Sequence, residues 1–524
     1  MRRPFFPFWA AALLFLCLPL GAQEFPVDDP VIQAIWEEGM ENSQAYDLSQ
    51  VLADSIGPRL TGSPAYEAGA DWVIGKFRQW GLEGRREEYG TWPSWDRGIT
   101  HADLLEPRVR SLDAMMLAWS PGTDGPVTAE VVAFPQEFTP QEMEDFLATV
   151  DGKFVLMGPA EITCRPDENW EEYATEESFQ RMRERRDAIR DGWRSSLREA
   201  GVSSRSGPAD RIEEAGALGI LTSSWPNGWG VRRVFSASTE AIPTLSLGCE
   251  DYGLLYRLAV NDQSPLLRVE AEAEWGDPAP TFNVIGEMRG TEKPDEYIVL
   301  SAHFDTWDGG SGATDNNSGT VNMMETLRIL SEVYPNPKRT IIAGLWDSEE
   351  QGLNGSRAFV ADNPEIVENI HAVFNQDNGT GRVVRISMQG FTGAGAYFGK
   401  WLSAVPGEIT RHIDLTIPGN PGRGGSDYAS FVCAGVPAFS LSSLSWAYGP
   451  YTWHTDMDTF DKLVMDDVKN NATLTAMLVY LASEEVEMLP RDQRALGMNP
   501  RTGEPMSWPQ CRQPARTGEG YFNR

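Results

Sequence analysis

Three short apolar segments, each leading into metal-binding residue types, constrain the fold of this 524-residue sequence more than any other feature. "YIVLSAHFD" contains His303, "RTIIAGLWDSEE" leads into Glu349 and Glu350, and "AVFNQDN" leads into Asp377. Apolar, β-branched runs of this length predict strands buried on both faces of a parallel sheet. Helical periodicity in segments between them, such as "SGTVNMMETLRILSEVY", predicts an α/β fold with helices covering a mixed, mostly parallel sheet.

The ends of these strands also predict a site. Open parallel sheets bind ligands beyond the carboxyl ends of their strands, so the three segments should deliver His303 and the carboxylates to one edge. A mixture of imidazole and carboxylate ligands favours zinc, with manganese or cobalt as substitutes. Calcium would take more oxygen ligands and no histidine.

The length of the chain exceeds what one hydrophobic core usually serves, so several domains are expected. Short strand-like runs such as "AEVVAF" and "GKFVLM" begin after about residue 106, and strand–loop–helix patterning returns after about residue 270. A charged segment at 166–200 predicts a solvated helix, with a lid over the site as the alternative. The boundaries we expect are 1–22 for a leader, 23–105 and 270–490 for the two parts of a main domain, 106–269 for an insert, and 491–524 for a loosely packed tail.

The N-terminus is typical of a secretory signal peptide. Arg2 and Arg3 precede an apolar stretch, and Gly21 and Ala22 provide small residues for cleavage. A membrane anchor is the alternative, although prolines interrupt the stretch and it is short for a span. We therefore expect a secreted or periplasmic protein. In such a compartment the remaining cysteines could form one or two disulfides whose pairing the spacing leaves open: Cys164, Cys249, Cys433 and Cys511.

The formal net charge of −32 restricts the partners. Such a surface repels nucleic-acid phosphates and anionic lipid, so we expect no nucleic acid and no stable membrane insertion once the leader is removed. The acidity would instead serve solubility or favour divalent cations, and a homodimer stays open.

Six motifs together resemble one enzyme family. They are "GPRLTGSPAYEAGADWV", "SAHFDTWDGGSGATDNNSGT", "DSEEQGLNGS", "NQDNGTG", "GGSDYASFVCAGVPAF" and "WHTDMDT". In order and spacing, from about residue 40 to 485, they resemble the co-catalytic zinc metallopeptidases of family twenty-eight, and "HFDTWDGGSGATDN" is most similar to the carboxypeptidase Q branch. The resemblance implies a phosphorylase/hydrolase-like zinc exopeptidase domain, and 106–269 is similar to the β-rich protease-associated insert of several members.

Carried over to this sequence, the resemblance implies a role for each matching residue. His303 and Asp377 would hold one zinc ion, Glu350 and His454 the other, and Asp315 would bridge the two. Glu349 would be the general base, and the Asp315–Asn316 peptide bond would be cis. From its spacing along the strand, Asp305 should face the same side as His303 and accept its imidazole N–H.

The substrate pocket is less well defined by the sequence. A segment expected to shape it comprises Gly425, Ser426, Asp427 and Tyr428. Some relatives stabilise the oxyanion with a tyrosine directly before the last metal histidine, where this chain has Trp453; Tyr428 and Tyr451 are other candidates. A free substrate carboxylate would need a cation, for which the candidates are Arg382, Arg385, Arg411 and Arg423.

The leading hypothesis is a zinc-dependent exopeptidase that hydrolyses terminal bonds of short peptides with two zinc ions per chain. Whether it is an aminopeptidase, a carboxypeptidase or a dipeptidase stays open. One alternative is a glutaminyl cyclase on the same fold, which would use one metal. The other is an inactive receptor or binding protein on a peptidase scaffold, which would be expected to have lost ligands.

Overall fold

The computed structural model describes residues 27–203, 207–499 and 501–519, so the predicted leader at 1–22 lies outside the described residues. The helices are α1 Pro30–Trp36, α2 Ala45–Gln50, α3 Pro64–Gln79, α4 Pro140–Leu147, α5 Asp167–Tyr173, α6 Glu176–Glu199, α7 Ala209–Glu214, α8 Cys249–Val260, α9 Ser318–Val333, α10 Asn354–Asp362, α11 Pro364–Glu368, α12 Ala394–Ser403, α13 Gly407–Thr410, α14 Tyr428–Cys433, α15 Tyr448–Tyr451 and α16 Met465–Glu484. The strands are β1 Glu83–Trp92, β2 Trp95–Glu106, β3 Arg110–Ser111, β4 Ala114–Met116, β5 Val127–Ala133, β6 Phe154–Leu156, β7 Gly219–Thr222, β8 Thr244–Leu247, β9 Leu266–Trp275, β10 Ala279–Met288, β11 Lys293–His303, β12 Arg339–Trp346, β13 Ile370–Asn375, β14 Val383–Ser387, β15 Asp414–Thr416 and β16 Ala438–Ser443.

The first sheet has eight strands in the order β1-β10-β12-β11-β13-β16-β14-β15. Its centre is parallel, because β11 pairs in parallel with β12 and β13, and β13 with β16. Antiparallel pairs flank this centre. The predicted α/β fold with a mixed, mostly parallel sheet is confirmed, and the three predicted metal-binding segments follow three adjacent strands.

The central strands are buried, as their unbroken apolar sequence predicts. Every residue of β12 and β13 is buried, and α9 and α16 pack on the sheet within one continuous core. Helix α3 starts where Ser63 accepts a hydrogen bond from the Tyr66 N–H, with Pro64 at the first helical position. Its Val73 and Phe77 belong to the same core.

Residues 31–56 have apolar positions at helical spacing, but they do not form one continuous helix. Two α-helices, α1 and α2, each continue into a π-helical turn, at Glu37–Glu41 and Val51–Ile56. Between them, the Ser43 hydroxyl and the Gln44 N–H both donate to the buried carboxylate of Glu325, at 2.9 and 2.8 Å. These hydrogen bonds to Glu325 replace helical hydrogen bonds at the break. Because Glu325 is distant in sequence, local periodicity does not predict the break.

The second sheet also has eight strands, in the order β3-β2-β9-β5-β6-β7-β8-β4, and it contains the segment predicted as a β-rich insert. It has its own apolar cores. Along the chain its strands run from β2, which starts at Trp95, to β9, which ends at Trp275, so the sheet extends beyond both predicted insert boundaries, 106 and 269. The charged segment forms two helices, α5 and α6, separated where Thr175 caps α6 by accepting from the Ser178 N–H. Helix α6 packs on this region through Trp193, whose ring lies 5.6 Å from that of Phe134.

The C-terminal tail is more firmly held than the sequence predicts. A disulfide joins Cys433 to Cys511, and the Trp508 indole donates to the Val432 carbonyl at 2.8 Å. Arg516 pairs with Asp362 at 2.7 Å. The other disulfide joins Cys164 to Cys249 within the second region, by which we mean residues 95–275, the second sheet with the helices between its strands. In the described ranges, none of the helices combines the length and apolar character needed to cross a bilayer.

Candidate metal centre

The carboxyl ends of the three central parallel strands carry the predicted ligands. His303 is the last residue of β11, Glu349 and Glu350 follow β12 in a tight turn, and Asp377 follows β13. Two loops complete the set. Asp315 lies in the π-helical turn Ala313–Asn317 before α9, and His454 follows α15.

These side chains form two groups that share one carboxylate. His303 Nε2 lies 3.1 Å from Asp377 Oδ1 and 3.3 Å from Asp315 Oδ1. His454 Nε2 lies 2.8 Å from Glu350 Oε2 and 3.4 Å from Asp315 Oδ2. The two oxygens of Asp315 therefore face two different histidines, and in each group the candidate ligand atoms lie within 4.8 Å of one another.

The donor atoms fit a pair of divalent cations. Asp315 Oδ2 and Glu350 Oε1 are buried and accept no hydrogen bond within the described ranges. Buried carboxylate oxygens without a donor are costly unless a cation compensates them. Two imidazole nitrogens with three carboxylates are also the ligand types that zinc takes in catalytic sites.

Electrostatics agree with this fit. Burial, reinforced by the charge of Asp315, raises the pKa of Glu350 well above its ordinary value. Burial likewise raises the pKa of Glu349, although His303 opposes the shift. Burial lowers the pKa of His454, which keeps its imidazole neutral and able to bind a metal. Protein groups alone thus leave Glu349 and Glu350 poorly compensated, and metal cations would allow both carboxylates to ionise.

Asp305 is buried beside the metal groups, but its contacts differ in part from the expectation. The nearest acceptor to His303 Nδ1 is the main-chain carbonyl of Asp305, at 2.8 Å, whereas the Asp305 carboxylate is 3.7 Å away. Its two carboxylate oxygens instead accept the backbone N–H groups of Glu349 and Glu350, at 3.0 and 3.2 Å. The carbonyl orients the imidazole, and the carboxylate fixes the turn that presents both glutamates.

A second positioning carboxylate was not identified from the sequence. Asp458 is buried and accepts the backbone N–H groups of Thr314 and Asp315, at 2.8 and 3.0 Å. Burial raises its pKa to about 7, with Asp315 adding to the shift. It therefore holds the turn in which the Asp315–Asn316 peptide bond is cis, as the resemblance implied. Its signal was present, because Asp458 belongs to "WHTDMDT".

Aromatic side chains enclose His454 and Glu350. The Trp307 indole donates to Glu350 Oε2 at 2.8 Å. The Phe235 ring lies 5.3 Å from the His454 ring, and Trp453 stacks on that imidazole at 4.0 Å. Phe235 belongs to the second region, so that region contributes a wall of the centre. No local pattern in the sequence indicated this.

The segment predicted to shape the substrate pocket lies next to the central strands. Ser426 is buried and its hydroxyl accepts from the Asn375 side chain at 2.9 Å. Asp427 is buried too, and burial raises its pKa to about 7. Gly425 is exposed, and the Tyr428 hydroxyl lies 3.4 Å from the Gly424 carbonyl. Ser426 therefore connects this segment to the end of β13 by a buried hydrogen bond. Contact of the segment with a substrate stays a prediction.

The candidates for anchoring the oxyanion or a substrate carboxylate are arranged differently from the expectation. Tyr448, which the sequence did not single out, is the tyrosine whose pKa is raised by burial and by the charge of Asp315. Of the arginines considered, Arg382 faces Asp467 at 3.8 Å and Arg423 donates to the Ser507 carbonyl at 2.5 Å. Arg385 and Arg411 are exposed.

Comparison with known families identifies the domain that carries this centre. Residues 283–479 match the sequence model of peptidase family M28. This range includes Glu349 and every residue of the two metal groups. The chain contains an M28 metallopeptidase domain. The expected class of enzyme, a zinc metallopeptidase, is thereby confirmed.

Several proteins of known name or structure are similar to this chain over most of its length. Carboxypeptidase Q from Mus musculus is 26% identical over 456 residues, which are 86% of this chain and 88% of that protein. Carboxypeptidase Q from Homo sapiens is also 26% identical, with the same coverage. The structure of a peptidase M28 precursor from Shewanella amazonensis has a TM-score of 0.64 at 23% identity and covers 88% of this chain and 97% of its own. That of a zinc aminopeptidase from Bacillus subtilis has a TM-score of 0.54 at 19% identity, with coverage of 83% and 93%.

Proposed function

We propose that this M28 protein is an exported di-zinc exopeptidase that hydrolyses terminal bonds of short peptides. The observation that carries the proposal is the shared carboxylate, since the two Asp315 oxygens face His303 and His454 at 3.3 and 3.4 Å. His303 and Asp377 would hold one ion and Glu350 and His454 the other, with Asp315 between them.

The charges of the centre support two ions rather than one. Four carboxylates converge there when Glu349 is counted with the ligands Asp315, Glu350 and Asp377. Fully ionised, they carry four negative charges, which two divalent cations balance. A single ion would leave a net negative charge in a buried site, which is unfavourable. This stoichiometry also separates the proposal from a one-metal glutaminyl cyclase.

When bound, the zinc ions would acidify a water molecule and polarise the substrate carbonyl. The chain's own contribution is proton transfer and positioning. Glu349 is tethered through its backbone N–H to Asp305, which leaves its side chain available to accept a proton from the attacking water. The same carboxyl then delivers that proton to the amine nitrogen as the C–N bond breaks. Glu350, the next residue, accepts from Trp307 and points toward His454.

The experiment that tests this proposal compares two adjacent glutamates. Glu349→Gln should keep two zinc ions per chain by elemental analysis and lose about 10²–10⁴-fold in kcat on a short peptide, because only the proton acceptor is removed. Glu350→Gln is the matched control, and it should lose one of the two ions. Wild-type kcat in the Glu349→Gln protein would disprove the general base. A wild-type protein that binds no zinc when zinc is in excess would disprove the metal centre itself.

The exported location is part of the same proposal. It is supported by the sequence of the first 22 residues and by disulfides joining all four cysteines beyond them. N-terminal sequencing of the protein recovered from the expressing cells should begin close to residue 23, and an intact Met1 would contradict export by cleavage of a leader.

A further inference from the structure

A cavity of about 170 Å³ lies between helices α10 and α14 and the C-terminal tail. Its lining comes from three stretches of the chain, within 353–361, 423–433 and 509–513, and it includes none of the residues of the two metal groups. An engineered protein cavity of about 150 Å³ is large enough to hold benzene. This cavity is therefore separate from the metal centre and large enough for a small organic molecule.

The tail wall of the cavity is held in place by the fold itself. Cys511 is disulfide-bonded to Cys433 of α14, and the Trp508 indole donates at 2.8 Å to a main-chain carbonyl of the same helix. On the other side, the Ala515 N–H donates at 2.8 Å to the side chain of Asn354, the first residue of α10. A wall held at three points needs little ordering when a ligand binds, which favours affinity.

The charge of the lining is opposite to that of the protein. Arg357, Arg423 and Arg512 line the cavity together with Gln510 and Gln513, and no acidic residue is among the described residues that do so. The whole chain has 76 acidic residues against 44 basic ones. Three arginines without an acid in one cavity therefore form a local site of positive potential on an acidic protein.

Two of these arginines have no anion of their own. In the ranges that the structure describes, neither Arg423 nor Arg512 has a carboxylate within 4.0 Å. Arg423 donates to the neutral Ser507 carbonyl, and Arg512 is exposed. The acid at the end of α10, Asp362, pairs with Arg516 instead. The planar fork of a guanidinium matches the two oxygens of a carboxylate, so this lining is suited to carboxylate groups.

Apolar surface makes up much of the remaining lining. Leu353, Val360, Ala429 and Pro509 contribute to it. Apolar walls with a few convergent polar groups are typical of sites for small organic molecules. A bare inorganic anion would leave these walls uncovered, so the lining favours an anion that has an apolar body.

We propose that this cavity binds a small organic dianion, whose two carboxylates pair with the arginines and whose apolar body packs against Leu353 and Val360. Phthalate, a single ring with two adjacent carboxylates, is a probe with this chemistry. The proposal is independent of the proposed peptidase function, because no metal ligand lines the cavity.

The test is isothermal titration calorimetry of the zinc-loaded protein with three probes: phthalate, its uncharged diamide phthalamide, and inorganic phosphate. Phthalate should bind saturably at one molecule per chain, and its affinity should fall as salt is added, because salt screens exposed charges. Phthalamide should show no binding. Phosphate should bind at least about 10-fold more weakly than phthalate, because it buries no apolar surface.

Variants assign the binding to the cavity. Arg423→Gln and Arg512→Gln should each weaken phthalate binding by about 10–100-fold, because each removes a charge-assisted hydrogen bond. Arg501→Gln is the matched control, since Arg501 is exposed in the same tail but does not line the cavity, and it should bind phthalate like wild type. Glu350→Gln alters a proposed metal ligand and should also keep the wild-type phthalate affinity. Each variant is checked by thermal unfolding, and if Arg423→Gln proves unstable, the exposed Arg512 decides alone.

Each outcome decides the inference. The absence of saturable phthalate binding with a Kd below about 10 mM would overturn it. Equal affinities for phthalate and phosphate would overturn the assignment to an organic anion. An equal loss in Arg501→Gln and Arg512→Gln would show a general effect of charge and no site. A loss in Glu350→Gln without one in Arg512→Gln would place phthalate at the metal centre and overturn the assignment to the cavity.

Discussion

Arg232 of the second region and Asp456 of the metal-ligand loop form a buried ion pair. Arg232 Nη2 lies 2.7 Å from Asp456 Oδ2, and each side chain is only 7% exposed. The Arg232 N–H also donates to Asp456 Oδ1 at 3.0 Å. Two residues earlier, His454 has a φ of 54°, in the left-handed region that costs a non-glycine residue about 1–2 kcal/mol. The pair therefore helps to hold His454 in a conformation that its backbone alone disfavours.

Replacing one member of this pair should weaken zinc binding at the site proposed for Glu350 and His454. Arg232→Gln leaves Asp456 buried without its partner, so we expect the free energy of unfolding to fall by about 3–5 kcal/mol. The zinc affinity of that site should fall by about 10–100-fold, as for other groups that orient a ligand, while the site at His303 is less affected. Zinc titration against a competing chelator measures both affinities, and urea unfolding measures the stability.

The double variant Arg232→Gln/Asp456→Asn is the companion to that experiment. It removes both charges, so it should recover part of the stability lost in the single variant, although not the zinc affinity. Equal zinc affinities in wild-type and Arg232→Gln protein would show that the second region does not position His454.

The sequence predicts the centre better than its surroundings, and the reason is physical. His303, Glu350 and Asp377 could be placed together because each follows a strand whose apolar sequence identifies it and whose carboxyl end lies at a common edge. The assignment of these residues to particular ions came from the family resemblance. The roles of Asp315 and His454 came from it as well, because both residues lie in loops, whose positions no sequence periodicity predicts.

What the sequence did not predict depends on contacts between distant parts of the chain. Phe235 contacts His454, and Arg233 stacks on Trp453, from a segment more than 200 residues away along the chain. Nothing in "VRRVFSAS" indicates these contacts. The break between α1 and α2 depends in the same way on Glu325. The anchored tail depends on the Cys433–Cys511 pair, which the cysteine spacing left open.

Removal of metal should destabilise the protein strongly. Glu350, one of the proposed ligands, has its pKa raised by burial, so the proposed binding of zinc should be coupled to folding. A ligand present at about 1,000 times its Kd adds about 4 kcal/mol per site. Differential scanning calorimetry after treatment with a chelator should therefore show a clearly lower Tm, restored by added zinc and only weakly by calcium.

Glu350→Gln provides the matched comparison for the metal-removal experiment. Because it should hold one ion instead of two, its Tm should fall less on chelation than that of wild-type protein. A wild-type Tm that does not change on complete removal of zinc would contradict the coupling of these ligands to the stability of the fold.

His371 should make the stability of the protein sensitive to acid for a reason unrelated to the metals. It lies fully buried in β13, where its Nδ1 accepts the Leu489 N–H at 3.0 Å. Burial, with smaller effects from the positive charges of Arg339 and Lys293, lowers its pKa to about 3. The ordinary value in an unfolded chain is about 6.5. Below pH 6.5 the unfolded state therefore binds a proton that the folded state does not bind. The free energy of unfolding consequently decreases as the pH falls from about 6.5 toward 3.

The predicted effect is the uptake of one proton on unfolding, which lowers the free energy of unfolding by about 1.4 kcal/mol per pH unit once the pH is well below 6.5.

His371→Gln keeps an acceptor for the Leu489 N–H and cannot be protonated. Urea unfolding of metal-free protein between pH 7 and 4.5 should therefore give a shallower loss of stability in this variant than in wild type, with no change in slope above pH 7. Groups in the metal centre titrate in both proteins and cancel in the difference. His101→Gln, at an exposed position, serves as the control and should keep the wild-type slope. Parallel slopes for His371→Gln and wild type would mean that the buried imidazole accepts its proton within the fold.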